Sequence, residues 1–227
     1  AVDPQKGAVV MTLTTQGDAP IHYTLDGSEP TAASPRYTGP VEIGKSARFR
    51  ATALREGGEN ASYSREFAFS KSTGRPAVLN TKPNDSYTFE GASLLVDGYH
   101  SRPVFTSGAW LGYLDEPLDV TIDMGGEQSY RSVELETLAE KGDWIFPPSS
   151  VTVWVSDNGT DFTEVASVTV PEAKAGDADG IGRYRMQFPE TSARYLKVVA
   201  QNAAAIPAWH PGAGSKGFLF VDEIVVE

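Results

Sequence analysis

The strongest constraint in this 227-residue chain is a hydrophobic alternation of period two that recurs from end to end. Val9, Met11 and Leu13 share one face with Thr12 and Thr14 opposite, and Ile21, Tyr23 and Leu25 repeat the pattern. Phe49, Ala51 and Ala53 alternate with Arg48, Arg50 and Thr52, and Tyr63, Arg65, Phe67 and Phe69 follow with one interruption. Successive side chains of a strand point to opposite sides of its sheet, so this spacing reads as half-buried strands. Turn signals separate them at Gly17-Asp18, Asp26-Gly27, Gly39-Pro40 and Gly57-Gly58. Several such strands in about 70 residues predict a small antiparallel sandwich. Further on, Leu118, Val120, Ile122 and Met124 alternate with Asp119, Thr121 and Asp123. Strand patterns follow over 133–137, 151–155, 165–170, 184–188, 195–200 and 218–226, and no helical period competes. The fold class is all-β, a small sandwich followed by a larger one of jelly-roll type.

Charge divides the chain at the same place. Residues 1–74 hold eight Lys/Arg and eight Asp/Glu, whereas residues 75–227 hold eleven and twenty-two, so the net charge of −11 belongs to the second part. Two independent units are predicted, 1–72 and 85–227, with the polar stretch starting at Ser70-Lys71-Ser72-Thr73-Gly74 leading into a linker over 73–84. A surface of that sign repels phosphate backbones and anionic membranes, which argues against nucleic acid as a partner. No run approaches the ~18 apolar residues of a membrane span, so no insertion is expected. The start at Ala1 shows no charged-then-apolar leader and reads as a processed end or a chosen boundary. Cysteine is absent, which removes disulfides, thiolate metal sites and cysteine nucleophiles. Sequons at Asn60, Asn84 and Asn158 matter only in a source that glycosylates its exported chains.

The connections carry the functional signal. If successive strands of the second unit run antiparallel, its turns alternate between two ends. Short ones (125–129, 157–160, 189–193) then fall at one end, and long ones (before 118, 138–150, 171–182, 201–217) at the other. Binding residues are expected on loops held by a rigid scaffold. Three of the four tryptophans, Trp110, Trp144 and Trp209, lie in the long segments, with His210, Asp143, Gln201, Asn202, Lys216 and Arg102 nearby. An indole covers the C–H face of a pyranose while polar groups read its hydroxyl fringe. Burying a few tens of Å² at ~25 cal/mol per Å² supplies roughly 1–2 kcal/mol per stacked ring. The carbohydrate-binding candidates are therefore Trp110, Trp144, Trp209, His210 and Arg102. The competing reading is that these aromatics staple long loops to the body of the domain.

Asp222-Glu223 invites comparison with the carboxylate pair of a glycosidase. In a strand the two point to opposite faces, so they cannot flank one bond, and no catalytic residue is assigned. Asp97 and Glu223 are instead candidates for a calcium site built mainly from backbone oxygens. The alternative for Asp97 is an Asx turn before Gly98. No other cofactor is required. His22 falls on the polar face of its strand and is expected to be exposed, and no phosphate-loop, dinucleotide, G-x-S-x-G or H-E-x-x-H motif occurs.

Ile21-His22-Tyr23-Thr24-Leu25-Asp26-Gly27-Ser28-Glu29-Pro30-Thr31, with Tyr37-Thr38-Gly39-Pro40 after it, resembles the small immunoglobulin-like domain that follows the catalytic barrel in chitobiases and bacterial β-N-acetylhexosaminidases. Residues 85–227 resemble a discoidin or coagulation-factor C-type domain, the galactose-binding-like jelly roll that includes the family 32 carbohydrate-binding modules. The matching pieces are Leu95-Val96-Asp97-Gly98, 120–125, 155–162, 193–198 and 222–226. Trp209-His210-Pro211-Gly212-Ala213-Gly214 is similar to the C-terminal ends of family 20 hexosaminidases from Bacteroidetes. These resemblances imply an exported, non-catalytic tail whose partners are a glycan containing N-acetylhexosamine or galactose and the catalytic barrel of the parent chain. They equally allow a structural tail that packs on that barrel without binding sugar. Calcium-binding relatives supply Asn, Asp or Thr oxygens after the Asp-Gly turn, where this chain has Tyr99 and His100.

Overall fold

The computed structural model describes residues 1–55 and 57–227. The first unit contains β1 (Val2–Asp3), β2 (Ala8–Met11), β3 (Ile21–Thr24), β4 (Val41–Ile43), β5 (Ala47–Ala53) and β6 (Ala61–Phe67). They form two three-stranded antiparallel sheets, β1-β2-β4 and β3-β5-β6. The inward faces bring Val9, Met11, Val41, Ile43, Phe49, Ala51 and Phe67 together, as the alternation predicts. His22 departs from expectation. Residues 35–37 pair along the free edge of β3, with His22 opposite Arg36, and the ring is buried with Nδ1 2.8 Å from the Ser34 carbonyl.

The second unit contains β7 (Ala77–Leu79), β8 (Leu111–Tyr113), β9 (Leu118–Ala139), β10 (Ser150–Ser156), β11 (Thr163–Thr169), β12 (Gly180–Gln201) and β13 (Leu219–Val226). Two of these are far longer than the alternation suggested. The expected turns at 125–129 and 189–193 are bends inside β9 and β12, which stay paired along one another apart from register shifts near 187–195. Gly125 takes φ 79° at the first bend, a left-handed conformation that glycine adopts without a Cβ clash. The paired ribbon folds on itself there. Its 118–124/195–200 half continues through β10 and β11, with β7 on the other edge, and its 132–139/180–187 half continues through β13 and β8. Both halves point apolar residues into one core: Leu118, Val120 and Ile122 from one, Val133 and Leu135 from the other, with Leu196, Val198 and Ile224. The architecture is two β-sandwiches, the second a jelly roll.

A smaller apolar cluster lies on the opposite side of β13. Phe220 points away from Leu219 and Val221 and meets Trp110, Leu138 and Ile145, roofed by Tyr87 and Phe105. Ring centroids of Tyr87 and Phe220 are 4.7 Å apart, edge to face.

The polar stretch after residue 70 is not a loose tether. Ser72 is fully buried and its hydroxyl donates to the Ile224 carbonyl, while the Lys71 amide donates to Val226 O at 3.0 Å. The Gly74 amide donates to Val96 O at 2.8 Å, and β7 pairs with β9. Ser and Thr composition resembles a linker because hydroxyls suit water, but here they satisfy strand-edge carbonyls.

Candidate functional site

Strand ends decide where the loops gather. Ser150 faces both Thr169 and Gln201, Leu118 faces Ala200, Ala139 faces Gly180 and Leu138 faces Phe220. Segments 114–117, 140–149, 170–179 and 202–218 therefore leave and re-enter the sandwich at one end. Direct contacts join them there. The Phe146 amide donates to Phe218 O at 2.8 Å and the Trp209 indole N–H to Ala173 O at 2.9 Å. Asn202 Nδ2 donates to the Tyr113 and Leu114 carbonyls, and Lys216 reaches Asp115 at 2.6 Å.

Three of the predicted binding residues meet at this rim. His210 meets two indoles edge to face, its ring centroid 6.2 Å from Trp144 and 5.5 Å from Trp209. The Gly212 amide donates to Nδ1 at 3.0 Å, which leaves Nε2 to donate its proton to the Lys141 carbonyl at 2.9 Å. Both ring nitrogens are thus engaged by backbone, and the imidazole pins segment 202–218 to segment 140–149. It is buried, and its place is beneath the site rather than on it.

The indoles themselves remain open, Trp144 at 42% and Trp209 at 39% of full exposure. Trp144 sits at φ 65°, a left-handed conformation that strains a residue with a Cβ. Surrounding contacts impose it: the Trp144 amide closes onto Lys141 O at 3.0 Å, and its carbonyl accepts from Phe218 at 2.8 Å. Its ring lies over Gly212, where a Cβ would come within 2.8 Å of Cζ2, so only glycine permits the approach. Strain of this kind persists only where the surrounding structure over-determines it. Next to Trp209, a groove of 430 Å³ runs between Phe146, Pro148, Pro171, Ala173, Ile206 and Ala208. The fringe is acidic. Burial, reinforced by Asp143 and Asp179 nearby, pushes the Glu140 carboxyl upward.

The other candidates lie elsewhere. Trp110 is completely buried in the smaller cluster, and its indole N–H donates to the Arg102 carbonyl at 3.0 Å. It staples segment 99–110 to β13 and has no face to offer a sugar. Arg102 lines a cleft against the first unit, with Arg48, Arg50 and Arg65, and does not join the two rim indoles.

Asp97 and Glu223 do come together, but around amides rather than an ion. Asp97 Oδ1 accepts from the Tyr99 amide at 2.8 Å, the Asx turn, and Glu223 Oε2 accepts from Gly98 N at 3.1 Å. Asp222 accepts from the Ser101 amide at 2.8 Å. Both faces of β13 are covered and the strand carries a register shift between Val221 and Ile224, so the two neighbouring carboxyls are both buried. The Gly98 carbonyl is taken by the Ala68 amide. Calcium needs roughly 6–8 oxygens. Glu223 Oε1 and Glu136 Oε1 are buried without a partner, and no group of three or more acidic or imidazole side chains surrounds one point among the described residues. The side-chain oxygens alone fall short of that number. Burial raises all three carboxyls, Asp97 to about 6 and Asp222 and Glu223 well above their ordinary range. His100, the residue where relatives place an oxygen ligand, turns to Glu136 at 3.0 Å, and that hydrogen bond raises its pKa.

Comparison with known proteins follows the same division. Residues 4–65 match the chitobiase/beta-hexosaminidase C-terminal domain, and residues 80–216 match the F5/8 type C domain. No curated protein matches the chain. Among solved structures, the module CpGH89CBM32-5 from Clostridium perfringens, in complex with GalNAc-beta-1,3-galactose, aligns at 16% identity and TM-score 0.46, over 67% of this chain and 94% of its own. Chitosan-binding module 1 of a chitosanase/glucanase from Paenibacillus sp. IK-5 aligns at 17% identity and TM-score 0.44, over 70% and 98%. Module 2 of that enzyme, in complex with chitotriose, aligns at 18% identity and TM-score 0.44, over 69% and 98%.

Proposed function

The chain belongs to the F5/8 type C domain family, and on that premise we propose that it is a non-catalytic accessory segment of an exported β-N-acetylhexosaminidase that holds glycan at the rim of its second sandwich. One observation carries this reading: two half-exposed indoles, Trp144 and Trp209, are both packed edge-to-face against a buried His210. Each indole offers a rigid apolar face, and the one polar atom of Trp209 is already engaged, so stacking is its remaining mode of contact. Hydroxyls of the ring edge would be read by the acidic and amide groups around them. Stacking worth roughly 1–2 kcal/mol per ring makes a weak single site. Such a site gains its effect through covalent linkage to a catalytic domain, which raises the local substrate concentration.

Calorimetric titration with galactose, N-acetylglucosamine and chitobiose tests the reading. Saturable binding that weakens in Trp209→Ala supports it, and silence across all three sugars overturns it. Attaching and removing residues 1–227 from the parent barrel separates the purely structural alternative. Activity lost only on polymeric substrate supports glycan presentation, whereas lost folding or altered small-substrate turnover supports packing on the barrel.

A further inference from the structure

The cleft between the two sandwiches reverses the charge of the molecule around it. The chain carries −11, yet this cleft, about 370 Å³ in volume, is lined by Arg48, Arg50, Arg65 and Arg102 with His100 and a single carboxylate, Glu66. Its size falls within the ~300–1,000 Å³ of small-molecule sites. Arg48 is paired with Glu66 at 3.3 Å and Arg50 with Glu29. Arg65 and Arg102 differ. Among the described residues neither has a carboxylate within salt-bridge reach or a hydrogen bond from its guanidinium. The guanidinium carbon of Arg65 sits over Tyr99, 3.8 Å from the ring centroid. A stacked guanidinium uses its face and keeps its in-plane N–H donors free, in the fork that matches a planar or tetrahedral oxyanion.

The placement is built rather than accidental. Arg65 comes from β6 of the first sandwich and Tyr99, His100 and Arg102 from the second, and the Ala68 amide bonded to Gly98 O at 2.7 Å holds the two walls together. We propose that this cleft binds an oxyanion carried on a saccharide, a sulfate ester or a uronate carboxylate, between Arg65 of one domain and Arg102 of the other. The saccharide carrier rests on the glycan-binding reading above; the oxyanion rests on the cleft alone. A ligand seated there bridges both sandwiches and is separate from the rim indoles.

The experiment is a pair of calorimetric titrations, N-acetylgalactosamine 4-sulfate against unsulfated N-acetylgalactosamine, with glucuronate and inorganic sulfate as further arms. The sulfated sugar is expected to bind at least about tenfold more tightly, with that gain shrinking as added salt screens the charge. Arg102→Glu should abolish the gain; its side chain is exposed and makes no contact the fold needs, and an unchanged melting temperature verifies this. Arg65→Lys, which keeps the charge but removes the fork, should reduce it, and Trp144→Gly should leave the affinity for the sulfated sugar at the cleft unchanged. Equal affinities for the two sugars, a gain that survives Arg102→Glu, or loss of the sulfated sugar's affinity in Trp144→Gly would each overturn the proposal. An Arg102-dependent response to inorganic sulfate with no response to any sugar would remove the saccharide carrier, and the rim reading with it, while leaving the oxyanion site standing.

Discussion

Trp110 and Trp144 are the same residue on the same kind of segment, a long connection in a β-sandwich, yet one is sealed and the other open. Trp110 lies beside β13, where the strand's outer face already carries Phe220 and where Tyr87 and Phe105 close over it. Its segment runs along the sandwich wall, so its indole has apolar surface on every side. Trp144 lies at the end of the sandwich, where strands stop and no sheet face remains to receive a ring. There the loops can bury only what they supply themselves, His210 and Phe146, and the two outer indoles stay half in water. A loop aromatic is a binding candidate when its loop leaves from the end of a sheet, and a staple when its loop lies on a face.

The largest test of that contrast is Trp110→Ala. Removing a fully buried indole should destabilise the protein by about 3–5 kcal/mol, read by urea unfolding, with glycan affinity unchanged at temperatures where the variant is folded. An exposed-type response, under about 1 kcal/mol, would break the distinction between wall and rim.

Burial at the joint should be visible in pH dependence. A carboxyl at about 6 in the folded state and ordinarily at 3.8 binds its proton more tightly when folded. Its contribution is complete below the ordinary value and is lost as pH rises through about 6. Wild type should therefore lose stability relative to Asp97→Asn between about pH 4 and 6, by on the order of 3 kcal/mol. Parallel stability–pH curves for the two proteins would contradict the burial of Asp97. Calcium and a chelator should leave the melting temperature of wild type equal, because a ligand that binds the folded state raises it.

At the rim the effects are smaller and of a different kind. His210→Ala removes one hydrogen bond between segments and one within its own loop, and should cost about 1–3 kcal/mol while weakening sugar binding through lost order in both indoles. Trp144→Gly is the sharpest probe. Glycine relieves the φ 65° backbone, so stability should hold or rise, while affinity falls about tenfold with the loss of one stacking face. A variant that loses stability and keeps its affinity would make Trp144 a staple like Trp110.

Much of this was legible in the residues. Period-two spacing places most strands and both cores, and loop length combined with antiparallel alternation places the segments after 138, 171 and 201 at one end, whereas of the long segment before 118 only 114–117 belongs there. The bends at 125–129 and 189–193 read as turns because glycine marks the first and proline the second, and only long-range pairing of β9 with β12 distinguishes a bend from a reversal. The fate of Trp110 was illegible for a related reason: the partners that bury it, Leu138 and Phe220, are distant in sequence. Arg102 was grouped with the tryptophans by proximity in the chain, whereas the docking of the first sandwich assigns it to the cleft. The joint itself hides in a stretch of Ser, Thr and Gly whose hydroxyls happen to meet strand carbonyls.

Indole resonances during a chitobiose titration test the central claim most directly. With the four tryptophan side chains assigned by single substitutions, the signals of Trp144 and Trp209 should shift together and saturate along one curve while that of Trp110 stays fixed. Movement of Trp110 with Trp144 and Trp209 unmoved would place the sugar, if anywhere, away from the rim.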